Sequence, residues 1–292
     1  MKLLKGIVVA ISLLGVLYSC SPLKKIESAK TAALATYANG NYPAAYQQLL
    51  AVISSYKSAD LNVTNDLLLK VAECAIRTNS YADALKYYEQ SLKNKVTVEA
   101  IKGSVTSIKN SGDKNKLNEV LSTYANDLIK SGNEEYLVQE QFELAVNSTD
   151  NKMIKELYPK LKSPTEKQSM TYLSTLETEG QKKEALAFCN GLVKNNPSYT
   201  KAKEWKAIYY YNIAEEAYKA KMAKYNKNKT YTAYVYLKRD LKKVSANFRI
   251  AKDIFEGLRK DNPSKKKYIK YLKNIYLRLD MKRETSAMKK LL

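Results

Sequence analysis

The chain has 292 residues, and its 50 Lys and Arg against 29 Asp and Glu give a formal net charge of +21 at neutral pH. It contains no histidine, which removes the commonest general base and the commonest metal ligand of proteins. This absence disfavours catalysis. Only 9 glycines and 6 prolines interrupt a sequence rich in helix-forming residues, so the composition favours helices.

The N-terminus carries two basic residues, Lys2 and Lys5, followed by an apolar stretch at 6–17. This stretch is shorter than the roughly 20 apolar residues that cross a bilayer, so residues 1–19 are predicted to be a signal peptide. The motif "LYSC" at 17–20 resembles a bacterial lipobox. That resemblance implies that Cys20 is lipidated and anchors the mature chain in a membrane. The alternative is an ordinary secretory signal followed by an incidental cysteine.

Beyond the signal, one pattern recurs along the chain. The stretches "NGNYPAAYQQLLAV" (39–52) and "TNSYADALKYYEQSL" (78–92) share a turn, an aromatic residue, an alanine three residues later and an apolar residue four beyond that. A third clear copy lies at 179–197, and two weaker copies carry Leu117 and Met153 at the alanine position. The equivalent positions are 45, 84, 117, 153 and 185, so the steps are 39, 33, 36 and 32. These units resemble tetratricopeptide repeats, whose period is about 34 residues.

This resemblance implies an all-α fold, a TPR-like α-solenoid of antiparallel helix pairs, over residues 20–198. Each pair leaves an apolar face that only the next pair covers, so the Ala and Tyr stripes are expected to be core. The segments 29–38 and 65–76 are predicted to be the first helices of the first two pairs. Cys74 and Cys189 fall in different repeats, and we expect them to be buried thiols rather than a disulfide.

Residues 199–292 depart from this spacing. Apolar residues at alternating steps of three and four mark a heptad seam of Tyr234, Leu237, Leu241, Val244, Phe248, Ala251, Phe255 and Leu258. The seam predicts one helix from about 231 to 260, and a run from about 201 to 225 is its predicted partner. A polar turn at 226–230 would join them into an overlong helical hairpin, with a final helix pair as C-terminal cap.

Charge divides the chain at the same place. Residues 21–198 carry 22 Lys and Arg and 20 Asp and Glu, whereas residues 199–292 carry 26 and 9, a net charge of +17. The second segment also holds 12 of the 24 tyrosines. In an exported protein, such a surface favours anionic lipid, glycan or an acidic protein surface over nucleic acid. The residues expected to make this contact are Lys224, Lys227, Lys229, Lys242 and Lys243.

Motifs for catalysis, phosphate binding and metal binding are absent from the sequence, so we expect a non-enzymatic protein without cofactor or metal. Two adjacent carboxylate pairs, at 134–135 and 215–216, are interpreted as surface charges, because neighbouring side chains on a helix point in different directions.

The repeat resemblance implies a lipid-anchored scaffold or adaptor that binds envelope proteins or extended peptides in a groove lined by the first helix of each pair. By analogy with the repeat class, the groove includes Leu69, Glu73, Arg77 and Asn79. Accessory subunits of outer-membrane protein assembly and of secretion belong to this class. Ser21 after Cys20 is not the aspartate that retains lipoproteins at the inner membrane in some bacteria, and "SPLKK" (21–25) lacks the acidic run that marks surface export in others, so the expected location is the outer membrane, facing the periplasm. The alternative is a binding module whose basic hairpin docks on anionic lipid or glycan.

Overall fold

The computed structural model describes residues 22–292, so Cys20 and the predicted signal peptide lie outside the described residues. Over this range the chain forms fifteen α-helices and one short 3-10 helix, with no strand. The all-α, TPR-like fold predicted from the repeats is therefore confirmed. Within residues 22–292, each helix is too short or too polar to cross a bilayer.

The chain divides into two compact units, of which the first ends at Asn147 and the second is Ser148–Leu292. In the first unit, short turns make consecutive helices antiparallel neighbours that pack on one another. Its helices are α1 (Pro22–Ala38), α2 (Tyr42–Ser58), α3 (Asn65–Arg77), α4 (Tyr81–Asn94), α5 (Val98–Ser111), α6 (Lys114–Thr123), α7 (Ala125–Lys130) and α8 (Glu134–Asn147).

The second unit contains the two longest helices of the described chain. Its helices are α9 (Asn151–Leu157), α10 (Glu166–Thr178), α11 (Lys182–Asn195), α12 (Thr200–Lys227), α13 (Tyr231–Asp261), α14 (Lys266–Arg278) and α15 (Lys282–Lys290), and the 3-10 helix Tyr158–Lys160 follows α9. The predicted domain boundary between 198 and 199 falls inside this unit and stays a prediction.

Small residues sit where paired helices approach each other. Ala45, Ala84 and Ala185, the alanines of the three clearest repeats, have no exposed surface. The turn before each of their helices takes a left-handed backbone, with a φ of 74° at Gly40, 59° at Asn79 and 75° at Gly180. Glycine adopts this conformation without strain and asparagine tolerates it, so the turn residues of the repeat pattern have a steric basis.

Tyrosine hydroxyls connect successive pairs of the first unit. The Tyr46 hydroxyl donates a hydrogen bond of 2.8 Å to the carboxylate of Asp83, and the Tyr37 hydroxyl donates one to Glu73. Each bond joins positions one repeat apart. These tyrosines thus have a structural role. The aromatic ring packs in the core, and the hydroxyl donates a hydrogen bond to a carboxylate of the next helix pair.

The two weaker repeats differ in detail from their predicted form. The third is followed by the short helix α7, which the sequence pattern did not indicate. In the fourth, Met153 is only half-buried, and Ile154 occupies the buried position instead, with 3% of its surface exposed. The reason is that α9 is capped by Asp150 and ends at Leu157, so Ile154 and Leu157, three residues apart, form its buried face.

The predicted hairpin is present as α12 and α13, joined at 228–230. Its heptad seam is buried at Leu237, Val244, Phe248, Ala251, Phe255 and Leu258. The prediction was wrong at Tyr234, which is 45% exposed although its ring centroid lies 6.2 Å from that of Tyr225. Tyr234 lies one helical turn from the start of α13, where the hairpin closes and the seam ends.

Two partly buried ion-pair groups hold α12 to α14. The Arg278 guanidinium donates from Nε to Glu215 at 2.9 Å and from Nη2 at 2.6 Å, and only 13% of the Glu215 side chain is exposed. The interpretation of Glu215 as a surface charge was therefore wrong, because its partner lies on another helix. Glu204 accepts hydrogen bonds from Lys265, at 3.0 Å, and from Lys267.

Both cysteines of the described chain are free and buried, as predicted. Cys74 lies in the core of the first unit, and Cys189 lies in the second unit with its Sγ 3.2 Å from the carbonyl oxygen of Ala202. Burial raises the pKa of each thiol to about 11. These thiols are packing residues, since the reactive form of cysteine is the thiolate.

Candidate functional site

The first unit presents polar and aromatic side chains along its first helices. α3 packs on α5 directly, in addition to packing on its pair partner. At spacings of three, four and seven residues, side chains of one helix lie on one face. We call the following set the first-helix face: Tyr37 of α1, Lys70, Glu73 and Arg77 of α3, Lys102 and Lys109 of α5, and Tyr136, Glu140 and Glu143 of α8.

At the α1–α3 end of this face, cations lie over aromatic rings. The Lys70 ammonium is 4.8 Å from the ring centroid of Tyr37, and the Arg77 guanidinium is 5.3 Å from that of Tyr42. Arg77 also lies 3.8 Å from the Glu73 carboxylate. Burial and the neighbouring Glu73 carboxylate raise the pKa of Tyr37 well above its ordinary value, so its hydroxyl remains a donor at neutral pH.

At the α5–α8 end the same elements recur. The Lys109 ammonium bridges Glu140 at 2.9 Å and Glu143 at 2.8 Å. Burial would lower the pKa of Lys109, but the hydrogen bonds to these two carboxylates raise it, so the ammonium stays charged. Lys102 lies 4.7 Å from the ring centroid of Tyr136. The face therefore alternates cation, aromatic and anion over four helices.

A small cavity of about 180 Å³ opens beside Lys109. Its lining combines charged and apolar side chains, among them Lys109, Glu140, Leu117 and Leu144. Sites for cofactors and drug-sized ligands usually enclose about 300–1,000 Å³. This cavity is smaller than such sites.

The four residues predicted to line the groove do not share one environment. Glu73 and Arg77 lie on the first-helix face, whereas Leu69 is only 8% exposed and belongs to the core of the first unit. Asn79 lies in the turn after α3, where its side-chain oxygen accepts a hydrogen bond of 2.8 Å from Tyr81. The groove itself stays a prediction.

Sequence reasoning missed most of the first-helix face. The missed residues with direct contacts there are Tyr37, Lys70, Lys102, Lys109, Tyr136, Glu140 and Glu143. Lys70 could have been predicted from the sequence, since Lys70, Glu73 and Arg77 have helical spacing. The residues of α5 and α8 could not be found in this way, because the repeats to which they belong are irregular.

The second candidate surface is the hairpin end, residues 219–243. It carries nine Lys and Arg and one acid, Asp240. The five predicted lysines, Lys224, Lys227, Lys229, Lys242 and Lys243, are all exposed. Asp240 lies 2.8 Å from Lys221 and 3.7 Å from Arg239, while none of the five lysines is ion-paired within the described chain.

Large aromatic and apolar side chains are exposed at the same end. Tyr231 is 83% exposed, Val235 46% and Tyr236 53%, in addition to Tyr234. Cations flank them, since Lys238 lies 5.7 Å from the ring centroid of Tyr234 and Arg239 lies 5.0 Å from that of Tyr236. The hairpin end is therefore both basic and aromatic.

Among residues 22–292, no group of three or more His, Cys, Asp or Glu residues is arranged to hold a metal ion.

Comparison with known proteins finds no matching family model and no matching curated protein. Among solved structures, a tetratricopeptide repeat protein from Parabacteroides merdae ATCC 43184 is 14% identical, with a TM-score of 0.45, over 92% of this chain and 98% of its own. A chain of the Naa15/Naa10 structure bound to HypK-THB is 11% identical, with a TM-score of 0.48, over 88% of this chain and 51% of its own.

A TPR repeats protein from Bacteroides fragilis NCTC 9343 is 12% identical, with a TM-score of 0.32, over 86% of this chain and 98% of its own. At these identities the similarity is one of fold and extends to no particular residue.

Proposed function

We propose that this chain is a membrane-anchored helical-repeat scaffold that binds partner proteins in a bacterial envelope complex. The observation that carries the proposal is the first-helix face, which presents aromatic and charged side chains from four helices of the first unit. Helical-repeat folds bind through extended surfaces of this kind, because each repeat adds one strip of side chains to a continuous face. Aromatic residues and arginine are also the types most enriched at protein interfaces.

Several groups on the first-helix face are suited to exchange their partners. Arg77 has 57% of its side chain exposed and lies 3.8 Å from Glu73, a distance that leaves the guanidinium able to pair elsewhere. Glu143 has 55% of its side chain exposed although it accepts from Lys109. Because exposed ion pairs contribute only about 0–1 kcal/mol, a partner can replace them at little cost. We infer that the bound segment carries both acidic and basic side chains.

The anchor in this proposal is Cys20. The lipobox-like motif supports lipidation there, and only Ser21 separates Cys20 from the start of α1 at Pro22. Each methylene buried in a bilayer contributes about 0.8 kcal/mol, so several acyl chains would hold the protein permanently. The proposed location is the outer membrane, facing the periplasm, and the proposed complex is one that assembles or secretes outer-membrane proteins.

The first experiment is crosslinking of the native protein in cells, gentle solubilisation and mass spectrometry of what is recovered. We expect a defined set of envelope proteins. Recovery of this chain with lipid and abundant bystanders alone would contradict the proposal. Mass measurement of the mature N-terminus tests the anchor separately, since a diacylglyceryl adduct at Cys20 is expected and an unmodified cysteine is not.

A charge-reversed variant, Arg77→Glu with Glu143→Lys, tests the first-helix face and leaves the hydrogen bond from Tyr37 to Glu73 intact. It preserves the net charge, and we expect it to lose the recovered partners. The matched control is Lys152→Glu with Glu156→Lys on α9, an exposed pair 4.0 Å apart. If the control lost the partners to the same extent, the face would not be the binding site.

A further inference from the structure

We propose that the hairpin end, residues 219–243, is a docking surface for an anionic phospholipid bilayer, with its exposed tyrosines in the headgroup region and its lysines against the lipid phosphates. This inference goes beyond the binding of partner proteins. It assigns a function to a part of the second unit that the first-helix face does not include.

The charge of the hairpin end is the first observation. Nine cations face a single acid, and that acid is already neutralised, because Asp240 pairs with Lys221 and Arg239. The hydrogen bond from Lys221 is the main reason that the pKa of Asp240 lies below its ordinary value. Lys219 also pairs with Glu215, and the other six cations form no ion pair within the described chain. Six such cations in 25 residues at one end of a hairpin create a positive field that attracts an anionic surface.

The exposed tyrosines are the second observation. A tyrosine combines an apolar ring with a polar hydroxyl, and it is enriched where membrane proteins pass through the headgroup region. Tyr231 is the first residue of α13 and is 83% exposed. Elsewhere in the second unit, as at Tyr268 and Tyr276, tyrosine rings are buried and their hydroxyls donate to carboxylates. The exposure at the hairpin end is therefore local.

The order of residues along α13 is the third observation. Tyr231, Val235, Lys238 and Lys242 follow each other at steps of four, three and four, which places them on one face of the helix. With a rise of about 1.5 Å per residue, Lys238 lies about 10 Å and Lys242 about 16 Å behind Tyr231. Lys227 ends α12 and Lys229 lies in the turn, so cations flank the exposed rings on both sides, and both kinds of side chain suit the headgroup region of a bilayer.

A lipid bilayer fits these observations better than a glycan or a protein does. A glycan or a protein is held by directional hydrogen bonds and shape, whereas a bilayer takes dispersed charge and apolar surface together. The hairpin end offers dispersed cations and exposed rings. The two other classes of ligand become outcomes of the test.

The experiment uses a chain from residue 21 to 292, which keeps every described residue and leaves out any acyl anchor at Cys20. Binding is measured by co-sedimentation with phosphatidylcholine vesicles with and without phosphatidylglycerol, at low and high salt. We expect binding only to vesicles that contain phosphatidylglycerol, and a loss of binding at high salt. Equal binding to both vesicles would show that anionic lipid is not recognised, and binding to neither would favour a glycan or a protein as ligand; either result would overturn the proposal.

Two variants locate the contact. Conversion of Lys224, Lys227, Lys229, Lys242 and Lys243 to Gln removes five charges at the hairpin end, and partition into the vesicles should fall on the order of 1,000-fold. The matched control converts five exposed lysines elsewhere in the second unit, Lys260, Lys266, Lys270, Lys289 and Lys290, to Gln. A control that loses as much binding would show that overall charge is responsible and would overturn the assignment.

A fluorescence measurement tests the tyrosines. Trp205 is the only tryptophan, so Trp205→Phe with Tyr234→Trp places a single reporter at the hairpin end. We expect its emission to shift to shorter wavelength on phosphatidylglycerol vesicles and to be quenched by brominated lipid. Emission that does not change while the protein is bound would overturn the insertion of the tip. Circular dichroism of each variant confirms that helix content is retained, and this test does not depend on any protein partner.

Discussion

The ring of Tyr88 covers Gly103 so closely that a β-carbon at position 103 would lie 2.1 Å from the tyrosine Cζ atom. Tyr88 belongs to α4 and Gly103 to α5, and both are buried in the first unit. The absence of a side chain at 103 is what lets these two helices meet across an aromatic ring. Gly103 is thus a packing residue inside a helix, where glycine otherwise weakens the structure.

Replacing Gly103 with Ala should destabilise the first unit by about 2 kcal/mol, because the added methyl group must displace the Tyr88 ring. The control is Gly191→Ala in α11, where a β-carbon would meet nothing within 4 Å. That change should be neutral or stabilising by up to about 1 kcal/mol. Urea unfolding followed by circular dichroism measures both. Equal behaviour of the two variants would mean that the ring of Tyr88 moves freely.

Glu215→Gln should destabilise the second unit by about 2 kcal/mol, because it breaks a bidentate, partly buried ion pair with Arg278. A double-mutant cycle with Arg278→Gln should show that most of this loss depends on the pair. The comparison is Lys152 with Glu156, whose side chains are 85% and 58% exposed and whose coupling should not exceed about 0.5 kcal/mol. Similar coupling in both cycles would contradict the structural role of Glu215.

Glu204 should make the second unit sensitive to acid. Burial alone would raise the pKa of Glu204, but hydrogen bonds from Lys267, Lys265 and Tyr268 outweigh it and hold the pKa at about 2, below the ordinary 4.5. The ionised carboxylate therefore contributes its full stabilisation above pH 4.5, and this contribution is lost as the pH falls toward 2.

The free energy of unfolding, measured between pH 7 and pH 2 for the wild type and Glu204→Gln, tests this. The difference between the two proteins should be about 1–2 kcal/mol at neutral pH and should shrink below pH 4.5. Glu216→Gln, at an exposed position of α12, is the control and should change stability little at any pH. A constant difference for Glu204→Gln across the whole range would exclude the proposed linkage.

Cys74 and Cys189 should react slowly with a thiol reagent at pH 8. Both are fully buried, and their raised pKa leaves little thiolate at that pH. Denaturant should release both thiols to rapid reaction. A chain that starts at residue 21 removes Cys20 from the count. Fast labelling of either cysteine in the native protein would show that its surroundings open readily.

Local sequence predicted the repeats and the hairpin because both follow from short-range sterics. An alanine at a helix crossing and a glycine or asparagine in the turn are required wherever a close helix pair forms. The heptad spacing of apolar residues likewise predicts the length of α13. Glu215 was not predictable, since its partner Arg278 is 63 residues away. The heptad pattern also does not show where packing between α12 and α13 ends, so it did not predict the exposure of Tyr234.

The candidate site was predictable only in part, for a related reason. Helical spacing identifies which residues of α3 share a face, but not which face is covered. Leu69 fell on the covered side, while Glu73 and Arg77 did not. The cation–aromatic contact of Lys102 with Tyr136 needs α5 and α8 to be neighbours, and the irregular helices α6 and α7 between them obscure that relationship in the sequence.

The hydrogen bonds that link successive pairs also bear on synthesis of the chain. Tyr37 and Tyr46 are separated from their carboxylate partners by 36 and 37 residues in sequence. Glu204 and Glu215 are separated from Lys265 and Arg278 by 61 and 63 residues. Short separations close quickly, since less loop entropy is lost. A chain that emerges N-terminus first can complete each early pair almost at once, while α12 and α13 stay without α14 until nearly the whole protein has appeared. When the complete chain refolds, the difference in loop entropy alone should make pulsed hydrogen exchange protect the amides of α3 before those of α12.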